Sequence, residues 1–283
     1  MADIAKVGIV GSGIMGSGLA EVAARAGHAV VVRSRTTEGA EAVRAGLEAG
    51  LAKQVERGKL EAVERDEILA RVTTTDHLGL LADCDLVIES VVEDLAVKKA
   101  LFAELEQIVQ PDGILATNTS TLPVVELAME TQRPDKVCGI HFFNPAPVMK
   151  LVEVVRPITA SEGTIASAVA FAERCGKDAV EVQDRAGFVV NALLFPYLNN
   201  AVRMLENGTA SRDDIDTAMK GGCGFPMGPF ALLDLVGLDT SLAILDALYA
   251  EFRDPNYAAV PTLRRMVAAG RLGRKTRSGF YDY

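Results

Sequence analysis

The sequence predicts an α/β protein: a doubly wound, mostly parallel sheet domain followed by an all-helical C-terminal domain. Three observations predict it. Short β-branched runs alternate with helical stretches over the first part of the chain, the pattern of βαβ units. Those runs are continuously apolar, as in a sheet covered on both faces. After about Gln183 the strand signals cease and helical stretches remain.

Taken in order, residues 7–10 (VGIV) read as a strand, 14–26 as a helix and 29–32 (AVVV) as a second strand. Residues 38–57 carry the charge and alanine content of a long exposed helix. Further strands are expected at 86–89, 114–117, 137–142, 151–155 and 179–182, with helices near 97–109 and 165–174. Beyond a boundary near 183–187, helices are expected at 188–205, 212–219, 230–252 and 260–269. Ser211 serves as a cap, and Gly208, Gly237 and Gly270 as interruptions or stops. The predicted domains are therefore 1–184 and 185–283.

Composition excludes several classes. Of the 283 residues 49% are hydrophobic, too many for a disordered polar chain. The 29 Lys+Arg against 38 Asp+Glu leave a formal net charge of −9. No basic stripe is available to neutralise nucleic-acid phosphates, so no nucleic-acid partner is expected. A small anionic ligand needs only a few local cations. No stretch approaches the roughly 20 apolar residues of a membrane span, and the start carries no secretory pattern. Cys84, Cys138, Cys175 and Cys223 form no CxxC pair, which argues against a disulfide or zinc framework. The expected location is cytoplasmic.

Gly11-Ser12-Gly13-Ile14-Met15-Gly16 lies between the first strand and the first helix. A lone GxGxxG is weak evidence, and a plain glycine turn is the structural alternative. The strand–loop–helix setting is what a dinucleotide site requires. Gly11 allows the tight turn, Gly13 lets backbone approach a pyrophosphate, and Gly16 lets the helix pack on the sheet. The phosphates would rest on free amides at the helix N-terminus. The domain is thus expected to be of Rossmann type.

An acidic residue at the end of the second strand would suit the ribose hydroxyls of NAD. The sequence instead reads Arg33-Ser34-Arg35. Guanidinium groups suit a 2′-phosphate through charge-assisted bonds, so NADP is favoured over NAD. The plain alternative is a pair of solvated surface arginines.

Among the three histidines, His28 lies in a turn and His77 in a polar loop, both expected at the surface. His141 ends an apolar strand, and two prolines, Pro145 and Pro147, force a turn before the run Leu151–Val155. If the two strands fold back on each other, His141 and Glu153 become cross-strand neighbours. A glutamate among apolar residues is costly to bury alone, and a histidine partner offsets that cost while fixing the imidazole tautomer. Such a pair is a general-base device, or else a satisfied core pair without chemistry. Asn118-Thr119-Ser120-Thr121 follows another strand, where ligands collect in open α/β sheets. Asn191 interrupts an apolar helix, either as a helix–helix bond or as a ligand contact.

With these motifs the chain resembles the 3-hydroxyacyl-CoA dehydrogenase family over essentially its whole length. The resemblance rests on GSGIMGSG at 11–18, DLVIESVVED at 85–94 and ATNTSTLP at 116–123. It continues through GIHFFNPAPVMKLVEVV at 139–155, DRAGFVVNALL at 184–194, PMGPFALLDLVGLD at 226–239 and GRKTRSGFYDY at 273–283. It implies a His141–Glu153 catalytic pair, substrate-oxygen contacts at Ser120 and Asn191, and nicotinamide-side contacts at Glu93, Lys98 and Asn144. It further implies that Lys53 and Arg57 hold CoA phosphates, that the substrate is an (S)-3-hydroxyacyl-CoA, and that a homodimer forms through the C-terminal domain. The departure is Ser34, where NAD-using members carry aspartate. The rival expectations are a dehydrogenase of a free β-hydroxy acid or sugar acid, and a non-catalytic cofactor-binding relative.

Overall fold

The computed structural model describes residues 4–283. The chain divides into a first compact unit ending at Asp184 and a second spanning Arg185–Tyr283.

The first unit is built on one eight-stranded sheet. Its strands are β1 (Lys6–Val10), β2 (Ala29–Arg33), β3 (Val72–Thr75), β4 (Leu86–Glu89), β5 (Ile114–Thr117), β6 (Val137–Phe142), β7 (Leu151–Arg156) and β8 (Asp178–Gln183). The spatial order is β3-β2-β1-β4-β5-β6-β7-β8. Every neighbouring pair is parallel except β6–β7. The chain winds outward from β1 one way and then returns to β4 on the other side. That reversal at β1/β4 is where open α/β sheets leave a crevice at the carboxyl ends of their strands. Continuous burial of β4, β5 and β6 follows from their unbroken apolar runs. The predicted doubly wound fold is therefore the observed one.

The helices of this unit are α1 (Ile14–Arg25), α2 (Thr37–Glu56), α3 (Ala62–Ala70), α4 (Leu95–Ile108), α5 (Val124–Ala128) and α6 (Glu162–Arg174). Thr36, Asp94 and Ser161 cap α2, α4 and α6 by accepting backbone amides. Helix α2 is less exposed than its composition suggests, because Val43, Leu47 and Leu51 recur at helical spacing and are buried. Three elements lie outside the sequence-based prediction. Strand β3 reads VTTT and α5 is one short turn, both below the length at which patterning is decisive. Helix α3 has only Ile68 buried, so its apolar signal is faint.

His28 departs from expectation. It is 1% exposed, and its ring lies 5.2 Å from that of Phe171 on α6. The turn before β2 is covered by that helix, a tertiary contact that local polarity does not reveal. His77, by contrast, is exposed. The cysteines are all free: Cys84 and Cys138 are buried, whereas Cys223 is exposed. Burial pushes the Cys138 thiol up to about 12.

The second unit is helical, with α7 (Val190–Glu206), α8 (Arg212–Cys223), α9 (Pro229–Val236), α10 (Leu238–Phe252) and α11 (Pro261–Ala268). Gly237, at φ 101°, divides what patterning reads as one stretch into α9 and α10. Its core gathers Phe195, Leu198, Phe230, Leu245, Leu248 and Leu263. Two buried carboxylates tie it together. Asp216 accepts the amides of Phe230 and Ala231 at the start of α9, and Asp234 accepts those of Phe280 and Tyr281. No described helix is long and apolar enough to cross a membrane.

Candidate active site

The loop after β1 is shaped by two close approaches. A Cβ on Gly11 would stand 2.3 Å from the Ser90 carbonyl, and one on Gly16 would stand 2.0 Å from the Gly11 carbonyl. Neither position admits a side chain. Gly13 is different, with open space where its Cβ would be. Helix α1 has no side-chain cap and no acidic residue in its first turn, so no side chain of the helix competes for its leading amides. These features fit a pyrophosphate. Ser12 and Ile14 are exposed beside them, and Met15 is half-buried.

At the end of β2, Ser34 is buried and donates its hydroxyl to Ser12 Oγ at 3.0 Å. Arg33 sends Nε to the Asp76 carbonyl at 3.4 Å, and Arg35 is exposed. The segment thus presents two cations flanking a small hydroxyl at the edge of the glycine loop.

The antiparallel ladder sets His141 directly opposite Glu153, and Phe142 opposite Val152. Nδ1 of His141 lies 2.8 Å from Glu153 Oε2, with the imidazole 5% and the carboxylate 1% exposed. An ionised carboxylate only accepts, so Nδ1 carries the proton and Nε2 is left as the acceptor. Nε2 is 3.1 Å from the Ser120 hydroxyl. Phe143 packs its ring 4.5 Å from the imidazole. A Ser–His–Glu line therefore runs from the loop after β5, across the carboxyl end of β6, to the amino-terminal half of the antiparallel β7.

Ser120 is held by a network that the residue-by-residue reading only half anticipates. Glu93 Oε1 accepts the Ser120 amide at 2.9 Å and the Thr119 hydroxyl at 2.5 Å. Lys98 lies 3.2 Å from the other Glu93 oxygen and is wholly buried. Its ammonium bonds both oxygens of Glu89, at 2.7 and 2.9 Å. Glu89 further accepts the Thr117 hydroxyl and the Val91 amide. Glu89 was not among the expected site residues, although its signal resembles that of Glu153: a glutamate in an otherwise apolar strand. Asn118 accepts the Phe142 amide at 2.8 Å, which ties the end of β5 to the strand bearing His141. Asp184 accepts the amides of Val124 and Val125 and so anchors α5, which follows the Ser120 loop.

Of the other expected site residues, three are exposed and one is buried. Asn144 is exposed on the β6–β7 loop. Lys53 and Arg57 are exposed at the C-terminal end of α2. Asn191 is 8% exposed in the first turn of α7, in the second unit.

Comparison with known proteins now bears on this geometry. The NAD-binding-domain model of 3-hydroxyacyl-CoA dehydrogenase matches residues 6–185, and the C-terminal-domain model of the same family matches 187–283. The chain belongs to the 3-hydroxyacyl-CoA dehydrogenase family. It is 49% identical to a 3-hydroxybutyryl-CoA dehydrogenase of Mycobacterium tuberculosis, covering 99% of each chain. The crystal structure of M. tuberculosis FadB2 superposes with a TM-score of 0.97 at 48% identity, over 100% of both chains. The (S)-3-hydroxybutyryl-CoA dehydrogenase PaaH1 of Ralstonia eutropha gives 0.97 at 40% identity, over 99% of both. Family membership supplies the context that a glycine fingerprint and a His–Glu pair lack by themselves.

Proposed function

We propose that this chain transfers a hydride between C3 of an (S)-3-hydroxyacyl-CoA, of the 3-hydroxybutyryl-CoA/acetoacetyl-CoA type, and a nicotinamide cofactor, with NADP preferred over NAD. The observation that carries this reading is the Ser120–His141–Glu153 line, with Nε2 left as the acceptor beside a hydroxyl. A bound nicotinamide would supply the hydride acceptor or donor. His141 Nε2 takes the proton of the 3-hydroxyl as that carbon is oxidised, and returns it to the forming hydroxyl in reduction. Glu153 stabilises the imidazolium that forms. Ser120 positions the substrate oxygen, and Asn191 is assigned to the same oxygen on the family resemblance.

The glycine loop and the free amides of α1 hold the cofactor's phosphates. Arg33 and Arg35 favour a 2′-phosphate, and Ser34 leaves room where a carboxylate would repel it. Glu93, Asn118 and Asn144 line the nicotinamide side. Lys98, being wholly buried, serves there by holding Glu93. Lys53 and Arg57 receive the CoA phosphates. The homodimer through the helical unit is assigned on the family resemblance.

The deciding experiment is a steady-state assay of acetoacetyl-CoA reduction with NADPH and with NADH. Turnover with a lower KM for NADPH is expected. Activity on a free β-hydroxy acid but none on the CoA ester would overturn the substrate assignment. A lower KM for NADH would overturn the cofactor assignment.

A further inference from the structure

Lys177, in the turn between α6 and β8, has no part in the reaction described above. Only 9% of the residue is exposed. Its ammonium reaches across to the β6–β7 loop and donates to the carbonyls of Ala146 at 2.7 Å and Met149 at 2.8 Å. Burial depresses its basicity below the ordinary lysine range. A buried ammonium costs far more than an apolar side chain of the same length, so its bonds must secure something that packing alone does not.

The clasped loop is the chain connection between the strands that bear His141 and Glu153. It begins just after His141 and Phe142, carries Asn144, and ends where β7 begins, two residues before Glu153. It folds on itself through the Val148 and Met149 amides, both donating to the Pro145 carbonyl. Its far side rests on the cofactor-binding helix: a Cβ on Gly18 of α1 would meet Ala146 Cβ at 3.2 Å and Pro147 Cδ at 3.4 Å. The loop is thus seated between α1, which opens on the glycine fingerprint, and the strands bearing the acid–base pair.

We infer that Lys177 is a positioning residue that fixes the nicotinamide side of the site relative to His141, by pinning the β6–β7 loop onto α1 through two backbone carbonyls. This rests on the dehydrogenase reading above, so wild-type turnover of acetoacetyl-CoA is established first. The test compares wild type, Lys177→Met, Lys177→Arg and Gly18→Ala. Gly18→Ala pushes the same loop from its other side without touching the lysine, and it serves should Lys177→Met fail to fold.

For Lys177→Met, amide exchange should accelerate about tenfold or more in residues 146–150 and stay unchanged in β1 and β4. NADPH and NADH Kd, read by their fluorescence, should rise several-fold. The kcat should fall roughly 10- to 100-fold, the usual consequence of an ångström-scale misplacement. KM for acetoacetyl-CoA should stay within about twofold, since its phosphates are assigned to α2. Gly18→Ala should reproduce the split in milder form, and Lys177→Arg should recover part of it. A folded Lys177→Met enzyme with wild-type cofactor Kd and kcat would overturn the inference. So would exchange that rises uniformly along the chain, since that marks a merely structural lysine. An inactive wild type would instead count against the dehydrogenase reading.

Discussion

Replacing Glu153 by glutamine keeps the shape of the buried pair and removes one charge. In the proposed oxidation an imidazolium would form at His141 as the 3-hydroxyl loses its proton, with Glu153 Oε2 2.8 Å from Nδ1. Averaged over the two groups, the charges lie about 4 Å apart. At an effective dielectric of about 20 their attraction is about 4 kcal/mol. That stabilisation exists only once charge develops on the ring, so its loss falls on kcat. At 1.36 kcal/mol per decade it predicts a drop of roughly 10³-fold. The amide oxygen of glutamine still accepts from Nδ1, so thermal unfolding should shift by only a few degrees. Cofactor Kd should not change, since the carboxylate is 1% exposed and meets the imidazole. The assay is 3-hydroxybutyryl-CoA oxidation followed by nicotinamide absorbance, with cofactor titration and thermal unfolding on the same samples. His141→Ala, which removes the acid–base group itself, should cost about 10²–10⁴-fold. A Glu153→Gln enzyme within about threefold of wild-type kcat would refute the electrostatic role and leave a packing pair.

Three further outcomes are expected. Ser34→Asp places a carboxylate beside Ser12 Oγ and should turn the cofactor ranking toward NADH by roughly 10- to 100-fold, the worth of one charge-assisted bond; an unchanged KM ratio would remove Ser34 from cofactor choice. Substituting alanine for both Lys53 and Arg57 should raise KM for acetoacetyl-CoA roughly 5- to 30-fold, from about 0.5–1 kcal/mol per exposed cation, and flatten its salt dependence; an unaltered KM would place the CoA phosphates elsewhere. Lys98→Met leaves Glu89 buried without its cation and should destabilise the first unit by about 3–5 kcal/mol in denaturant unfolding, which would be contradicted by a midpoint equal to that of wild type.

Much of this site was legible because its chemistry lies next to its turns. The pairing of His141 with Glu153 could be anticipated from an apolar strand, two prolines and a second apolar strand, since once the strands fold back only registers of the right parity keep glutamate and histidine on the same face. The network behind Ser120 was not legible in the same way. Glu93 and Lys98 were named through family resemblance. That Lys98 is sealed against Glu89 and turns Glu93 toward the Ser120 amide depends on the parallel register of β4 and β5, which sets Glu89 beside Thr117.

Sequence alone determined the doubly wound sheet, the glycine cradle and the change to helices, because each is written in local periodicity and in residues with special backbone needs. Tertiary structure alone decided which polar and charged side chains are hidden. His28 sits in a turn of ordinary polarity and is buried because α6 lies over it. Lys177 stands in a charged, turn-like stretch and is buried because its ammonium finds two carbonyls on a loop 28 and 31 residues away. Burial of a charge is set by the partners that offset its desolvation. Those partners come from distant segments, so local composition carries no record of them.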